Sequence, residues 1–144
     1  MVIQLTGAFL AVAALSVLFG VPKKFIFYSA ITGTVGQMIY FIFISQGISK
    51  ILGVFAGALV VACLSHVMAR VNKAPVTVFL IPGIIPTVPG LDMYRAVYNL
   101  IIGQNHLAQS YLLDALKIAG MIALAIFIID ALFGLKRKRT EMKS

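Results

Sequence analysis

The chain has 144 residues, 61% hydrophobic and 11% charged, with a mean hydropathy of +1.04 and a formal net charge of +8. A soluble domain carries about 45–50% apolar and about 25% charged residues, so a water-soluble globule is excluded and the chain reads as an all-α integral membrane protein. The positive charge does not point to nucleic acid, because the basic residues sit in gaps between apolar runs, as topology signals do, with no basic face interleaved with aromatics.

A spanning helix needs about 20 mostly apolar residues, and five stretches qualify: about 2–20, 25–45, 49–69, 76–104 and 107–135. The first carries no charge, and Lys23 and Lys24 follow it. A signal peptide has its positive charge ahead of the apolar run, so this stretch reads as a retained span. The second stretch holds Ser29 and Gly33, four residues apart, and Thr34 and Gln37 near its middle. Gln37 either makes a hydrogen bond between helices or lines a pore. The third carries Ser49, Gly53 and Gly57, a small-residue ridge that lets two backbones approach closely. His66, near its end, is either structural or part of a proton relay. Cys63 is the single cysteine, so no intramolecular disulfide and no cysteine-based metal site is expected.

The fourth stretch contains Ile81-Pro82-Gly83-Ile84-Ile85-Pro86-Thr87-Val88-Pro89-Gly90, three prolines and two glycines within apolar sequence. Each proline removes an amide donor and crowds the carbonyl four residues earlier. Pro82, Pro86 and Pro89 would free the carbonyls of Val78, Pro82 and Ile85. The helix is expected to end near Leu80 and a second to start near Gly90–Asp92. Irregular backbone at membrane depth survives only where protein buries it or a watery cavity adjoins it. Broken helices of this kind build mid-membrane binding sites in transporters. Beyond the break, Asp92, Arg95 and Asn99 fall within about 60° of one another on a helix, with Tyr94 and Tyr98 on another face. Asp92 either caps the second half-helix, pairs with Arg95, or takes up a coupling proton. Tyr94 and Tyr98 suit packing, an interface or a lined cavity, and Asn99 suits a hydrogen bond between helices or the cavity wall.

The fifth stretch carries Ala115, Ala119 and Ala123 as a third small-residue ridge. Asp114 and Lys117 suit an outer-end pair at i,i+3. Asp130 suits a local charge pair near the basic run Lys136–Arg139, or a coupling carboxylate.

Charge bias sets the topology. With five crossings, the N-terminus outside and the C-terminus inside, Lys23, Lys24, Arg70, Lys73, Lys136, Arg137, Lys138, Arg139 and Lys143 face the cytoplasm, and Lys50 faces outward. A re-entrant fourth stretch would put the Lys136–Arg139 cluster outside, against the rule. Residues 1–144 then form one transmembrane domain with a basic cytoplasmic tail over 136–144. No internal repeat is visible, and five crossings do not divide into the equal halves of an inverted-repeat transporter, so the chain suits one half of a larger machine. No phosphate loop, nucleophile elbow or zinc-protease motif occurs, which argues against an enzyme. No cofactor or metal is expected.

The run Phe79–Gly90, followed by Tyr94, resembles the signature of the threonine/serine exporter family, in its C-terminal membrane half, which in many bacteria is a separate small subunit. The resemblance implies proton-motive-force-driven export across the bacterial inner membrane, alongside a larger membrane subunit of the same family. Full-length members are similar to threonine and serine exporters, and split members to exporters of succinate-like dicarboxylates. Thr87 stands where the family often has leucine. The substrate-binding residues expected are Pro82, Gly83, Pro86, Thr87, Pro89, Gly90, Tyr94, Arg95, Asn99 and Gln37, with Arg95 on the substrate carboxylate and Asp92 as the proton-coupling candidate. The expected partners are the larger subunit, a small-molecule substrate and the bilayer, with homo-oligomers possible. The alternative is a non-transporting scaffold that stabilises the larger partner.

Overall fold

In a computed structural model, residues 2–141 are described, with side chains through Leu135. The described residues form six α-helices and a 3-10 turn: α1 (Val2–Leu18), α2 (Lys23–Ser45), α3 (Lys50–Asn72), α4 (Thr77–Ile84), the turn Ile85–Thr87, α5 (Gly90–Ile101) and α6 (Asn105–Glu141). None of them is a strand. α2, α3 and residues 105–135 of α6 are long and apolar enough to cross a membrane. The α4–turn segment and α5, bent by 45°, make a fourth candidate if they count as one span. α1 is apolar but has 17 residues, short of the usual crossing length. Much of the expected tail is helix, since α6 runs to Glu141; the side chains of Lys136–Arg139 lie outside those described.

The helices form a row in which α2 lies between α1 and α3, and α3 lies between α2 and α6. α4 sits in the groove of α1, α2 and α3, whereas α5 packs on α6. Two of the three small-residue ridges explain this order. A Cβ on Gly57 would stand 2.9 Å from the Gly36 carbonyl oxygen, and one on Gly36 would overlap Val61, so α2 and α3 meet backbone to backbone. A Cβ on Gly33 would stand 3.1 Å from the Cα of Gly83, which seats α4 directly on α2. The third ridge does not behave as expected. Ala115 is buried, but Ala119 and Ala123 are exposed. The buried face of α6 runs instead through Ala115, Ile118, Ile122 and Ala125, and the last three close on Val54 and Ala58 of α3. Shape complementarity of branched side chains, rather than alanine spacing, sets this seam.

The proline segment also departs from expectation. Helix continues through Pro82 to Ile84, beyond the stop expected near Leu80, and only Val88 and Pro89 separate the 3-10 turn from α5. The reason is a replacement donor. Ser29 of α2 donates its hydroxyl to the Val78 carbonyl at 2.9 Å, the acceptor that Pro82 leaves without an amide. The Val88 amide likewise donates to the Ile85 carbonyl, freed by Pro89, at 3.0 Å. Helix interruptions at membrane depth are tolerated when neighbouring hydroxyls re-satisfy the backbone in this way.

Candidate functional site

The end of the interrupted helix opens on a cavity of ≈ 200 Å³ between α2, α3, α5 and α6. Pro86, Thr87, Val88 and Pro89 supply its backbone wall, and Gln37, Tyr40, Lys50, Val54, Leu91, Asp92 and Ile118 complete it. The break therefore does what its composition suggests: it brings polar groups and the start of a half-helix to one hollow.

Two polar pairs mark the cavity. Gln37 of α2 donates through Nε2 to the Thr87 hydroxyl at 3.2 Å. Its amide oxygen is not consumed by that bond, and the Thr87 hydroxyl still has a proton to donate. Gln37 is buried and both lines the cavity and makes a hydrogen bond between elements. The second pair is ionic: Lys50 Nζ lies 2.5 Å from Asp92 Oδ2. Asp92 is buried, and the Lys50 side chain is half exposed. Asp92 lies in the first turn of α5, where a carboxylate also meets the positive end of the helix dipole. It caps nothing, because no side chain caps this helix.

The Asp92–Lys50 pair corrects two expectations. Of the roles open to Asp92, capping and pairing with Arg95 are not what the structure shows, and Lys50, read from the sequence as an outward-facing charge, is its partner. The α3–α6 seam and the bend before α5 carry Asp92 to the N-terminus of α3 instead. Arg95 points the other way: it is exposed, and its guanidinium lies 5.7 Å from the Tyr111 ring centroid on α6. That distance suits a cation–π contact, not a substrate clamp within the cavity. Lys50 and Tyr40 are the residues that sequence reasoning missed. The one available signal was that Lys50 stands alone, outside every basic cluster.

The remaining expected site residues divide three ways. Pro86, Thr87, Pro89, Asp92 and Gln37 line the cavity. Pro82 and Gly83 lie behind it, buried in the contact between α4 and α2, and serve packing. Gly90, Tyr94, Arg95 and Asn99 do not line it. Asn99 is buried and donates to the Arg95 carbonyl at 2.7 Å within its own helix. Tyr94 and Tyr98 are exposed and stack on each other with ring centroids 6.2 Å apart.

A second polar cluster lies toward the other end of α3. His66 Nε2 and Asp130 Oδ1 of α6 are 2.5 Å apart. Asp130, for which the sequence suggests a local charge pair near Lys136–Arg139 or a coupling carboxylate, meets a histidine of α3, 64 residues earlier in the chain. Asp114 and Lys117 pair at 3.5 Å, as their spacing suggested. Among the described residues, no group of three or more His, Cys, Asp or Glu is placed to hold a metal ion.

The model of the family described as Threonine/Serine exporter, ThrE, matches residues 4–132. The chain belongs to the threonine/serine exporter family. The match takes in the first helix, the break, the cavity and most of α6, and so all residues of both polar clusters. It identifies a multi-pass membrane protein of an exporter family, in line with the apolar helices. No solved structure matches the chain.

Proposed function

We propose that this chain is the small subunit of a two-part bacterial inner-membrane exporter whose substrate is a small hydroxyl-bearing amino acid such as threonine or serine. The observation that carries it is the cavity at the helix break, which holds one cation, one anion and a hydrogen-bonding amide–hydroxyl pair. A zwitterion matches that set. Its carboxylate exchanges onto Lys50, beside the positive end of α5, and its ammonium exchanges onto Asp92. Its hydroxyl meets Thr87 and the free amide oxygen of Gln37. A dicarboxylate suits the same cavity less well, since the one lining cation is already balanced and its second carboxylate would face Asp92. Charges at close quarters discriminate strongly against the wrong sign.

In this scheme the Lys50–Asp92 pair closes the empty site and opens when substrate replaces each partner. Asp92 is the ammonium ligand, and Lys50 takes the role foreseen for Arg95. The five-crossing arrangement, N-terminus out and C-terminus in, draws support from the charge bias of the segments between helices, with α1 as a short first span and α4–α5 as the broken fourth. The exposed face of α5, with Tyr94, Arg95 and Tyr98, then meets the larger subunit. Energy comes from the proton-motive force.

The test is uptake by inside-out membrane vesicles, with and without the chain, of labelled threonine, serine and succinate under an imposed proton gradient. Threonine or serine uptake that depends on the chain and is lost in Lys50→Gln but kept in Arg95→Ala is the expected result. Uptake of succinate alone would overturn the substrate assignment. Uptake that depends on the chain but is kept in Lys50→Gln would leave the scaffold alternative in its place, and equal uptake with and without the chain would overturn both.

A further inference from the structure

The cavity at the helix break leaves the His66–Asp130 cluster without a role. His66 and Asp130 line a separate hollow of ≈ 340 Å³ with Ala69, Arg70, Ala74 and Phe133. The His66 ring stacks on Phe133, with centroids 4.6 Å apart and planes inclined by 15°. The Arg70 guanidinium lies 4.8 Å from the same Phe133 ring centroid. His66 is thus fixed in plane by an aromatic neighbour while Nε2 meets a carboxylate, and the side chain of that carboxylate is 52% exposed. A rigid imidazole with one nitrogen on an exposed carboxylate can exchange protons without moving its ring.

Its position is equally specific. Sixteen residues of α3 separate Lys50 from His66, a rise of about 24 Å, against a hydrocarbon thickness of about 30 Å. The two pairs therefore stand near opposite ends of one seam. Between them run Val54, Ala58, Ile118, Ile122 and Ala125, a dry contact of α3 with α6. Asp92 is on α5, which packs on α6, so a shift of α6 with α5 against α3 changes both pairs. Packed helices change between discrete arrangements rather than deforming continuously.

We propose that His66 and Asp130 form the proton-binding pair of the transport cycle, coupled to the Lys50–Asp92 site through the α3–α6 seam. This assignment rests on the exporter function proposed above. Histidine is a side chain that serves as a proton shuttle. Among the described side chains, the charged groups near His66 are Asp130 from α6 and Arg70 from its own helix. The segment before α4 contributes Ala74 and Val76. From α2, Lys24 turns its ammonium to the Phe25 ring at 4.7 Å. Protonation of the pair places a positive imidazolium beside Asp130 and draws α6 to α3. Loss of the proton releases that attraction.

The test uses vesicles carrying the full chain, with His66→Gln and Asp130→Asn compared with the unaltered chain at matched membrane levels. Two rates are read: threonine exchange without a proton gradient, and threonine accumulation with one. Exchange is expected within about twofold of the unaltered chain, while gradient-driven accumulation falls about tenfold and loses its dependence on pH. Accumulation retained in both variants would overturn the assignment. So would a parallel loss of exchange and accumulation in both, which marks a structural pair. If the unaltered chain itself neither exchanges nor accumulates threonine, the exporter function fails first and the proton pair falls with it.

Discussion

The two halves of the interrupted helix have opposite surroundings. α4 is enclosed by α1, α2 and α3, with Phe79 and Pro82 wholly buried and Gly83 set against Gly33 of α2 and Val61 of α3. α5 leans on α6, and Leu91, Tyr94, Val97, Tyr98 and Ile101 are all more than half exposed. One half is anchored by backbone contact and a borrowed hydroxyl, and the other by one helix face and one ion pair. The polar cavity forms where they meet. A binding site in a membrane gains from such asymmetry: a fixed wall holds geometry, and a lightly held wall can move to admit substrate.

Substitutions can break each half separately. The largest effect is expected from Gly57→Leu, which forces α3 off the Gly36 carbonyl. Overpacking a tight contact costs about 1–3 kcal/mol or more, and with backbone on both sides the chain is expected to disappear from membranes in an immunoblot. Next comes Lys50→Gln, which leaves buried Asp92 without its cation. Threonine transport is expected to fall by about tenfold or more while the chain reaches the membrane at ordinary levels, since the lost cation is half exposed and its removal takes away the cavity's positive charge. Transport kept at the level of the unaltered chain would detach the pair from the substrate.

Ser29→Ala should give a smaller change. It removes the donor that rescues the Val78 carbonyl next to Pro82, and a hydrogen bond between membrane helices is worth about 0.6 kcal/mol, up to about 1.7. A modest drop in the thermal midpoint of the detergent-solubilised chain is expected, and no drop would show that another donor serves that carbonyl. The smallest effect is expected from Arg95→Ala. Its loss removes one exposed cation–π contact, worth about 0.5–1 kcal/mol, so a fall in threonine transport as large as that of Lys50→Gln would contradict its place outside the cavity.

Much of this asymmetry was legible in the sequence. The prolines announced the break, and the spacing of Ser29 with Gly33 and of Gly53 with Gly57 announced close helix contacts. Gln37 and Thr87, 50 residues apart, were both singled out and do meet. What stayed hidden depends on which residues face each other across helices. Asp92 had Arg95 one turn away, yet its partner is Lys50, 42 residues distant. A helical wheel places Asp92 and Arg95 on neighbouring positions but cannot know that the bend turns one inward and leaves the other outside. The end of α4 was set too early for the same reason: Ser29, 49 residues before Val78, supplies the donor that local rules count as lost. The alanine spacing on α6 misled because burial there follows Ile118 and Ile122.

The central claim is that the cavity beside Val88 holds the substrate. Cys63 is the single cysteine, so a Cys63→Ala, Val88→Cys chain carries one thiol, at a half-exposed position on the cavity wall. The rate at which a small charged thiol reagent modifies it in membranes should fall about fivefold with saturating threonine, since a bound ligand blocks access in proportion to its occupancy, and should not change with succinate. An unchanged rate with threonine, in membranes that still transport it, would place the substrate elsewhere and contradict the account.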